Sequence, residues 1–219
     1  MRKYLFIIGF MIIALNSKAQ DSTYKHFEIS VSAMYWHPLS AHLIGGYSTP
    51  KNLNTEFNGF GNAITPTINM AYYFDSNIGL SLSYNYIALE KKQDAITNSA
   101  NFQNIRLGFT ARVFEESLFG LSFSTGINYV PTYSFSIPMR FSNPQGMELS
   151  TDGTTLGAFF NAGISIRVYK GLVFITSFDY TYIPVELNYS TTTQNILIEQ
   201  VEITHLGGIG VLLGVGYQF

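Results

Sequence analysis

Residues 207–219 run Gly-Gly-Ile-Gly-Val-Leu-Leu-Gly-Val-Gly-Tyr-Gln-Phe. Side chains of one parity are apolar and end in two aromatics, at Ile209, Val211, Leu213, Val215, Tyr217 and Phe219. Those of the other parity are mostly glycine. A period of two indicates a β-strand, because successive side chains of a strand point to opposite faces. One face of this strand therefore suits an apolar environment, and the other suits a space too narrow for large side chains.

Seven earlier segments show the same alternation. They cover residues 27–36, 64–74, 78–86, 105–113, 119–129, 160–168 and 174–182. Short connections alternate with long ones; the short ones are 75–77, 115–117 and 169–171, and the long ones are 38–62, 90–100, 131–155 and 190–204. Eight such strands predict an all-β fold, a closed antiparallel eight-stranded transmembrane β-barrel.

Composition favours a membrane barrel over a soluble one. Charged residues make up 12% of the chain, whereas a typical soluble domain has about 25%. Aromatic residues make up 16%, and the second face of each predicted strand carries mainly Ser, Thr, Asn and Gly. A soluble calyx such as a lipocalin would instead have an apolar interior and a charged exterior. We therefore expect oily side chains outside and a slender polar lumen.

The charge and the cysteine count exclude several classes of function. A net charge of −2 gives no support to a nucleic-acid partner. The absence of cysteine excludes disulfides, thiolate metal sites and a lipid-modified N-terminal cysteine. No cofactor is predicted.

The N-terminal segment has the pattern of a signal peptide. A positively charged start is followed by an apolar run over 4–15 and by small residues at Ser17 and Ala19. The run is shorter than the about 20 residues that a membrane-spanning helix needs. We therefore predict a signal peptide over 1–19 and a barrel domain over 20–219.

The closing strand resembles that of the outer-membrane β-barrel superfamily. The residues that match are Val211, Leu213, Val215, Tyr217 and Phe219. In that family these positions form the signal for the barrel-insertion machinery. The whole chain resembles small barrels of the OmpX and OmpA transmembrane-domain type, by pattern rather than by a specific motif.

This resemblance implies a location and a set of partners. The location is the outer membrane of a Gram-negative envelope, with both termini periplasmic and the long loops outside. The implied partners are outer-membrane lipid, lipopolysaccharide, the insertion machinery and possible envelope proteins. The implied function is non-enzymatic and uses the outer loops, in adhesion, in envelope integrity or as a subunit of an envelope assembly. The alternatives are a lipid-modifying enzyme and a channel for small apolar solutes.

Five charged residues fall on the lumen face, and we treat them as one predicted network. They are Glu28, Arg106, Arg112, Arg167 and Asp179. Buried charges are costly unless they are paired, so we expect Glu28 to pair with Arg112 or Arg167, and Asp179 to pair with an arginine. A lumen of eight strands is just wide enough for side chains to fill. The network therefore predicts a plug, and the alternative is a gated path for protons or ions.

Three further residues are candidates for a metal site or for the base of a hydrolase. His37 ends the first strand, His205 precedes the last one, and Glu202 lies close by. Several small barrels are enzymes, among them lipid A palmitoyltransferases, lipid A deacylases and omptin proteases. However, both histidines share the parity of the lipid-facing side chains, and neither has the serine two residues later that the deacylase type uses. We therefore expect them in an interfacial belt and predict no catalytic or metal-binding residue.

Aromatic residues fall at two levels of the predicted barrel. One level has Phe27, Phe74, Phe119, Phe174, Tyr217 and Phe219, and the other has Tyr35, Tyr86, Tyr129 and Tyr182. Two such levels are typical of the aromatic girdles of membrane barrels.

Pro66 fits the pattern of the second strand poorly, because proline cannot donate to a strand ladder. A bulge or a local break is expected there.

Overall fold

The computed structural model describes residues 25–39, 43–46, 60–93, 96–113, 118–139, 147–185, 189–193, 196–203 and 206–219. The strands within these ranges are β1 Phe27–Pro38, β2 Leu43–Gly46, β3 Ala63–Tyr73, β4 Ile78–Gln93, β5 Ile96–Val113, β6 Phe119–Met139, β7 Met147–Tyr169, β8 Leu172–Tyr182, β9 Tyr189–Thr193, β10 Ile196–Ile203 and β11 Gly208–Gln218. Eight of them form a closed antiparallel barrel in the order β1-β11-β8-β7-β6-β5-β4-β3. The predicted fold class is confirmed. The predicted signal peptide lies outside the described residues.

The ladder between β1 and β11 closes the barrel. It runs without a shift from the Glu28–Gln218 pair to the Pro38–Gly208 pair. The start of β1 and the end of β11 therefore lie at the same rim, which we call the turn end because the tight turns at 74–77 and 170–171 are also there. The opposite rim is the loop end. No helix in the described parts of the chain is long and apolar enough to cross a membrane.

Four strands continue well past the loop end. β4 and β5 stay paired as far as Gln93 and Ile96, and β6 and β7 stay paired as far as Met139 and Met147. We call this projection the wall; it consists of residues 87–93, 96–104, 130–139 and 147–157. Its longest arm, 147–157, extends about 36 Å along the strand, at ~3.3 Å per residue.

The wall corrects two predicted loops. The segments 90–100 and 131–155 are mostly strand. Pro131 had suggested a loop, but it lies where the β6–β7 ladder shifts between Val130 and Tyr133. A proline is tolerated at such a bulge because no ladder hydrogen bond is required of it.

A second, smaller sheet corrects two other predicted loops. β10 pairs with β2 and with β9 outside the barrel. β2 lies in the segment 38–62 and β10 in the segment 190–204, both of which were predicted as connections; β9 begins at Tyr189, one residue before the second segment. β2 has only four residues, so its sequence contains too little alternation to predict a strand. Its pairing with β10 is a long-range contact.

Side chains of the barrel are sorted by parity, as predicted. The closing-strand residues Val211, Leu213, Val215, Tyr217 and Phe219 face outward and are 44–65% exposed. Both predicted aromatic levels are also on the exterior, with Phe74, Phe119 and Phe174 at the turn end and Tyr35, Tyr86, Tyr129 and Tyr182 toward the loop end. An apolar surface of this extent, edged by aromatic rings, suits lipid rather than water.

Asp75 holds the turn between β3 and β4. Its carboxylate accepts the backbone N–H groups of Asn77 and Ile78, each at 2.7 Å. These two hydrogen bonds lower the pKa of Asp75 below its usual value, and the charge of Arg112 adds to the effect. The predicted turn at 75–77 therefore forms as a carboxylate-capped bend.

Pro66 is accommodated by a hydroxyl group rather than by a bulge. The N–H of Tyr73 donates toward β1, to His26, and the N–H of Phe74 donates toward β4, to Ile78. Because backbone groups alternate along a strand, residue 66 should donate toward β4, and proline cannot. The β1–β3 ladder continues through Pro66 without a shift, whereas the β3–β4 ladder stops at Thr67. The expected local break is therefore present on one side only.

Thr65 supplies the donor that Pro66 lacks. Its hydroxyl donates to the carbonyl oxygen of Tyr86. In the register of the β3–β4 ladder, Tyr86 is the residue opposite Pro66. The carbonyl is therefore satisfied by a side chain where the ladder has no N–H to offer.

We predict that Thr65→Val destabilises the barrel only while Pro66 is present. The substitution keeps the side-chain shape and leaves the Tyr86 carbonyl without its donor, at a cost of about 1–3 kcal/mol. In a Pro66→Ala background a backbone N–H takes over, so the same change should be nearly neutral. Urea unfolding of the four proteins in lipid vesicles measures this coupling. If Thr65→Val lowers the free energy of unfolding equally in both backgrounds, the hydroxyl does not replace the missing N–H.

Candidate functional site

The interior of the barrel is polar toward the turn end. Serine, threonine and asparagine side chains from many strands face inward there, and a central cavity of about 80 Å³ lies among them. Hydroxyl and amide groups that line this cavity come from Ser30, Ser32, Thr67, Asn69, Ser81, Ser83, Thr110, Ser122, Ser124, Asn161 and Ser177. This half of the interior matches the predicted slender polar lumen.

A smaller cavity of about 30 Å³ lies at the turn end and contains three of the five predicted charges. Glu28, Arg112 and Arg167 all line it, together with Gln218. The amide of Gln218 donates to Glu28 at 2.9 Å. The structure thus brings these three charges to one cavity, as their positions near the strand ends predict. The ion pair between Glu28 and Arg112 or Arg167 stays a prediction.

Arg112 ties several segments together at this rim. Its Nε donates to the carbonyl of Ser76 at 2.9 Å, and its Nη2 donates to the carbonyl of Lys25. The guanidinium also lies 3.7 Å from the centroid of the Tyr73 ring, which is a cation–π contact. Arg112 therefore fixes the β3–β4 turn and the segment that leads into β1.

Arg106 and Asp179 form a buried ion pair deeper in the barrel. Arg106 Nη1 donates to Asp179 Oδ2 at 2.7 Å, and the two side chains are 3% and 1% exposed. Thr181 joins both partners, because its hydroxyl accepts from Arg106 Nη2 at 2.7 Å and donates to Asp179 Oδ1 at 2.9 Å. The arginine expected for Asp179 is thus Arg106, and the pair borders the central cavity.

A row of three buried asparagines crosses the wall side of the barrel. Asn104 donates to Asn85 at 2.7 Å, and Asn128 donates to Asn104 at 3.2 Å. The three residues lie on β4, β5 and β6, and all are at most 1% exposed. The row lies at the boundary between the polar part of the interior and its apolar part.

Toward the loop end the interior is apolar, contrary to the prediction of a polar lumen throughout. A cluster of buried side chains fills it, which we call the apolar cluster: Met34, Trp36, Phe60, Ala63, Ile87, Leu89, Ala100, Phe102, Val130, Tyr133, Ile183, Val185, Leu206 and Leu212. The prediction failed partly because the strands were ended too early, and partly because Met34, Trp36 and Leu212, which lie inside predicted strands, are large apolar residues on the interior face. The interior face continues from Asn85 to Ile87 and Leu89, and from Asn104 to Phe102 and Ala100.

Trp36 is the largest fully buried side chain of the cluster. Its ring meets Phe102 edge to face, with 6.3 Å between centroids. On the other side it lies against the closing strand, where a Cβ added to Gly208 would come within 2.5 Å of the indole. The glycine face of residues 207–219 therefore makes room for an indole ring as well as for small polar groups.

The histidine candidates form no site among the described side chains. His37 is exposed, and its Nδ1 lies 2.7 Å from the amide oxygen of Asn62, whose nitrogen donates to the Tyr35 hydroxyl at 2.6 Å. This chain of polar groups lies on the exterior near the loop end, as the belt interpretation predicts. His205 lies outside the described residues, and of Glu202 only the backbone in β10 is described. Within the described residues no three His, Asp or Glu side chains are grouped as metal ligands would be.

Comparison with known proteins places the fold in a class. No protein-family model matches the sequence, and no curated protein matches it either. Solved structures do match, and they are small outer-membrane β-barrels, so the chain has the fold of that class. The predicted resemblance is confirmed at the level of the fold.

Three of the similar structures have a TM-score of 0.53. Neisserial surface protein A is 14% identical, and the match covers 88% of this chain and 97% of that one. OprG from Pseudomonas aeruginosa is 14% identical, with 90% and 96% covered. A major outer membrane protein from Thermus thermophilus is 9% identical, with 88% and 99% covered. Identities this low establish the architecture and leave the function open.

We predict that Asp179→Ala destabilises the barrel more than a double variant that replaces both Asp179 and Arg106 by apolar residues. The single change leaves the Arg106 guanidinium buried without its counter-charge, which costs about 3–5 kcal/mol. The double variant Arg106→Met/Asp179→Leu removes both charges at similar volume and should unfold at a higher urea concentration than the single variant. Asp179→Asn, which keeps the shape, is the control for packing. A single variant as stable as the wild type would show that the pair contributes nothing to the fold.

Proposed function

We propose that the protein is an outer-membrane barrel with both termini periplasmic, and that it acts without catalysis through the part that projects from its loop end. The apolar exterior, the aromatic residues at two levels and the small-barrel fold support the location. The observation that carries the proposed function is the wall. A strand costs conformational entropy to order, and four strands continue far beyond what closure of the barrel requires.

The wall offers a free strand edge to a partner. β7 pairs with β8 only from Ala158 onward, and the Thr155 hydroxyl donates to the carbonyl of Pro184 at 2.7 Å. From Met147 to Thr154, β7 has β6 on one side and no ladder partner on the other among the described residues. Unpaired backbone groups in a row are a template for an added strand. An extended segment of another protein is the partner that this edge fits, by β-augmentation.

The direction of the backbone groups on this edge follows from the ladder. The N–H of Arg167 donates to Leu118, which leads into β6. By alternation, the even-numbered residues of β7 direct their N–H groups away from β6. Ser150 and Asp152 therefore present donors at the free edge, and the odd-numbered residues hold the wall together.

The other functions expected from the sequence gain no specific support. The enzyme alternative depends on His37, His205 and Glu202. The described partner of His37 is the Asn62 amide oxygen, which accepts a hydrogen bond but does not take up a proton as a catalytic carboxylate would. The alternative of a channel for apolar solutes would use the loop-end interior. There the apolar cluster is closely packed, with Trp36 and Ile87 fully buried. Adhesion and membership of an envelope assembly remain, because the exposed edge of β7 suits either function.

We predict that Ser150→Pro/Asp152→Pro abolishes partner binding while the barrel stays folded. Each proline removes an outward N–H and leaves the β6–β7 ladder intact, because proline is tolerated on an edge. The matched control is Ser150→Ala/Asp152→Ala, which keeps both N–H groups. Partners that co-purify from mild detergent extracts are identified with the wild type and then compared between the two variants. Retention of the same partners by the proline variant, folded as judged by its resistance to SDS at room temperature, would contradict β-augmentation at this edge.

A further inference from the structure

The two interior cavities adjoin and lead inward from the turn end. Glu28, Tyr73, Ser122 and Ile175 line both of them. The smaller cavity lies at the rim beside Arg112 and Arg167, and the larger one reaches the Arg106–Asp179 pair. A series of polar spaces therefore runs from the turn end to the middle of the barrel.

Unpartnered polar atoms around the central cavity and at the asparagine row are the observation that favours water in this interior. Thr67 Oγ1 and Arg106 Nε are buried without a hydrogen-bond partner among the described residues, and both residues line the central cavity. At the level of the asparagine row, Asn85 Nδ2 and Asn128 Oδ1 are also buried without a hydrogen-bond partner among the described residues. Buried groups of this kind normally bind ordered water. A volume of about 80 Å³ has room for several molecules.

Above the asparagine row the path ends. Met34, Trp36, Ile87, Phe102 and Val130 are each at most 1% exposed. These side chains come from β1, β4, β5 and β6, and the same cluster includes Leu212 of β11 and Ile183 directly after β8, on the other side of the barrel. Apolar constrictions exclude ions because water leaves them. The charges of Arg106 and Asp179, by contrast, line the polar cavity on the turn-end side of the asparagine row.

We propose that the interior is a blind aqueous vestibule. It admits water and small hydrophilic ions from the turn end, and the apolar cluster is the barrier that prevents them from reaching the loop end. The barrel is thus a closed ion path in which one apolar layer, rather than the charged network, stops conduction. This proposal concerns the interior and is independent of the partner-binding edge of the wall.

Single cysteines test the vestibule, because the chain has none of its own. Ser30→Cys places a thiol in the central cavity, and Ala100→Cys places one in the apolar cluster; both positions are buried. Silver ion is the probe, since it is small and replaces the thiol proton to form a silver thiolate. The protein is reconstituted in phosphatidylcholine vesicles in nitrate buffer, and protease cleavage of the wall reports which end faces outward.

The expected result depends on the side of addition. Ser30→Cys should react with silver ion supplied at the turn end, and about 100-fold more slowly with silver ion supplied only at the loop end, because an ion pays a desolvation cost to cross an apolar layer. Ala100→Cys should react slowly from the turn end. Equal rates for Ser30→Cys from both sides, or equal rates for the two thiols from the turn end, would overturn the proposal.

Removal of the barrier should create a pore. In planar bilayers the wild type should be silent, and Trp36→Ala/Phe102→Ala should carry a steady current at least about tenfold above the wild-type background, because the dewetted layer is lost. The matched control is Phe109→Ala/Phe123→Ala, which removes two rings from the exterior, where both are exposed. This control should be silent.

Loss of two buried rings is also expected to weaken the fold. Folding of each variant is therefore checked by its resistance to SDS at room temperature. If the ring variant does not fold, Ile87→Thr/Leu89→Thr, which adds hydroxyl groups to the layer with a smaller loss of volume, replaces it. A folded barrier variant without current, or a wild type with a steady current, would show that the apolar cluster is not the barrier.

Discussion

Closure of β1 on β11 is the constraint on which the rest of the structure depends. A membrane offers no water to satisfy backbone groups, so each N–H and carbonyl of a spanning sheet needs a partner within the protein. The unbroken register from Glu28–Gln218 to Pro38–Gly208 provides those partners for the two terminal strands. Closure also creates an interior, and it brings the glycine face of the last strand against Trp36. Where the ladder fails, at Pro66, the hydroxyl of Thr65 supplies the missing donor.

The interior that closure creates has a polar part and an apolar part. Toward the turn end, charges and hydroxyl groups surround small cavities. Three hydrogen bonds connect Arg106, Asp179 and Thr181 to one another. Toward the loop end, buried apolar side chains pack without charge. The asparagine row lies between the two parts. Its amide groups hydrogen-bond to one another, so they are the last polar layer before the apolar cluster.

The wall has exposed strand edges, which the closed barrel lacks. Closure removes strand edges, whereas the extension of β4, β5, β6 and β7 beyond the rim creates two, one along β4 and one along β7. Natural proteins usually protect such an edge, since it invites pairing with other chains. Here the β7 edge is covered from Thr155 onward by the Pro184 segment and is left without a ladder partner before it, among the described residues. An edge kept free on an otherwise closed sheet is the feature most directly suited to recognition of another protein.

The sequence by itself determined the eight barrel strands, their inward and outward faces and the glycine face of the closing strand. These follow from alternation with a period of two, which is a local property of the chain. It also placed Arg106 and Asp179 on the lumen face, although they are 73 residues apart. Only the tertiary structure decided which charges meet, how far the wall extends and where the interior turns apolar. These depend on strand register and on contacts between distant segments: Phe60, Ile183 and Leu206 reach the apolar cluster from three separate connections, and no local pattern specifies that meeting.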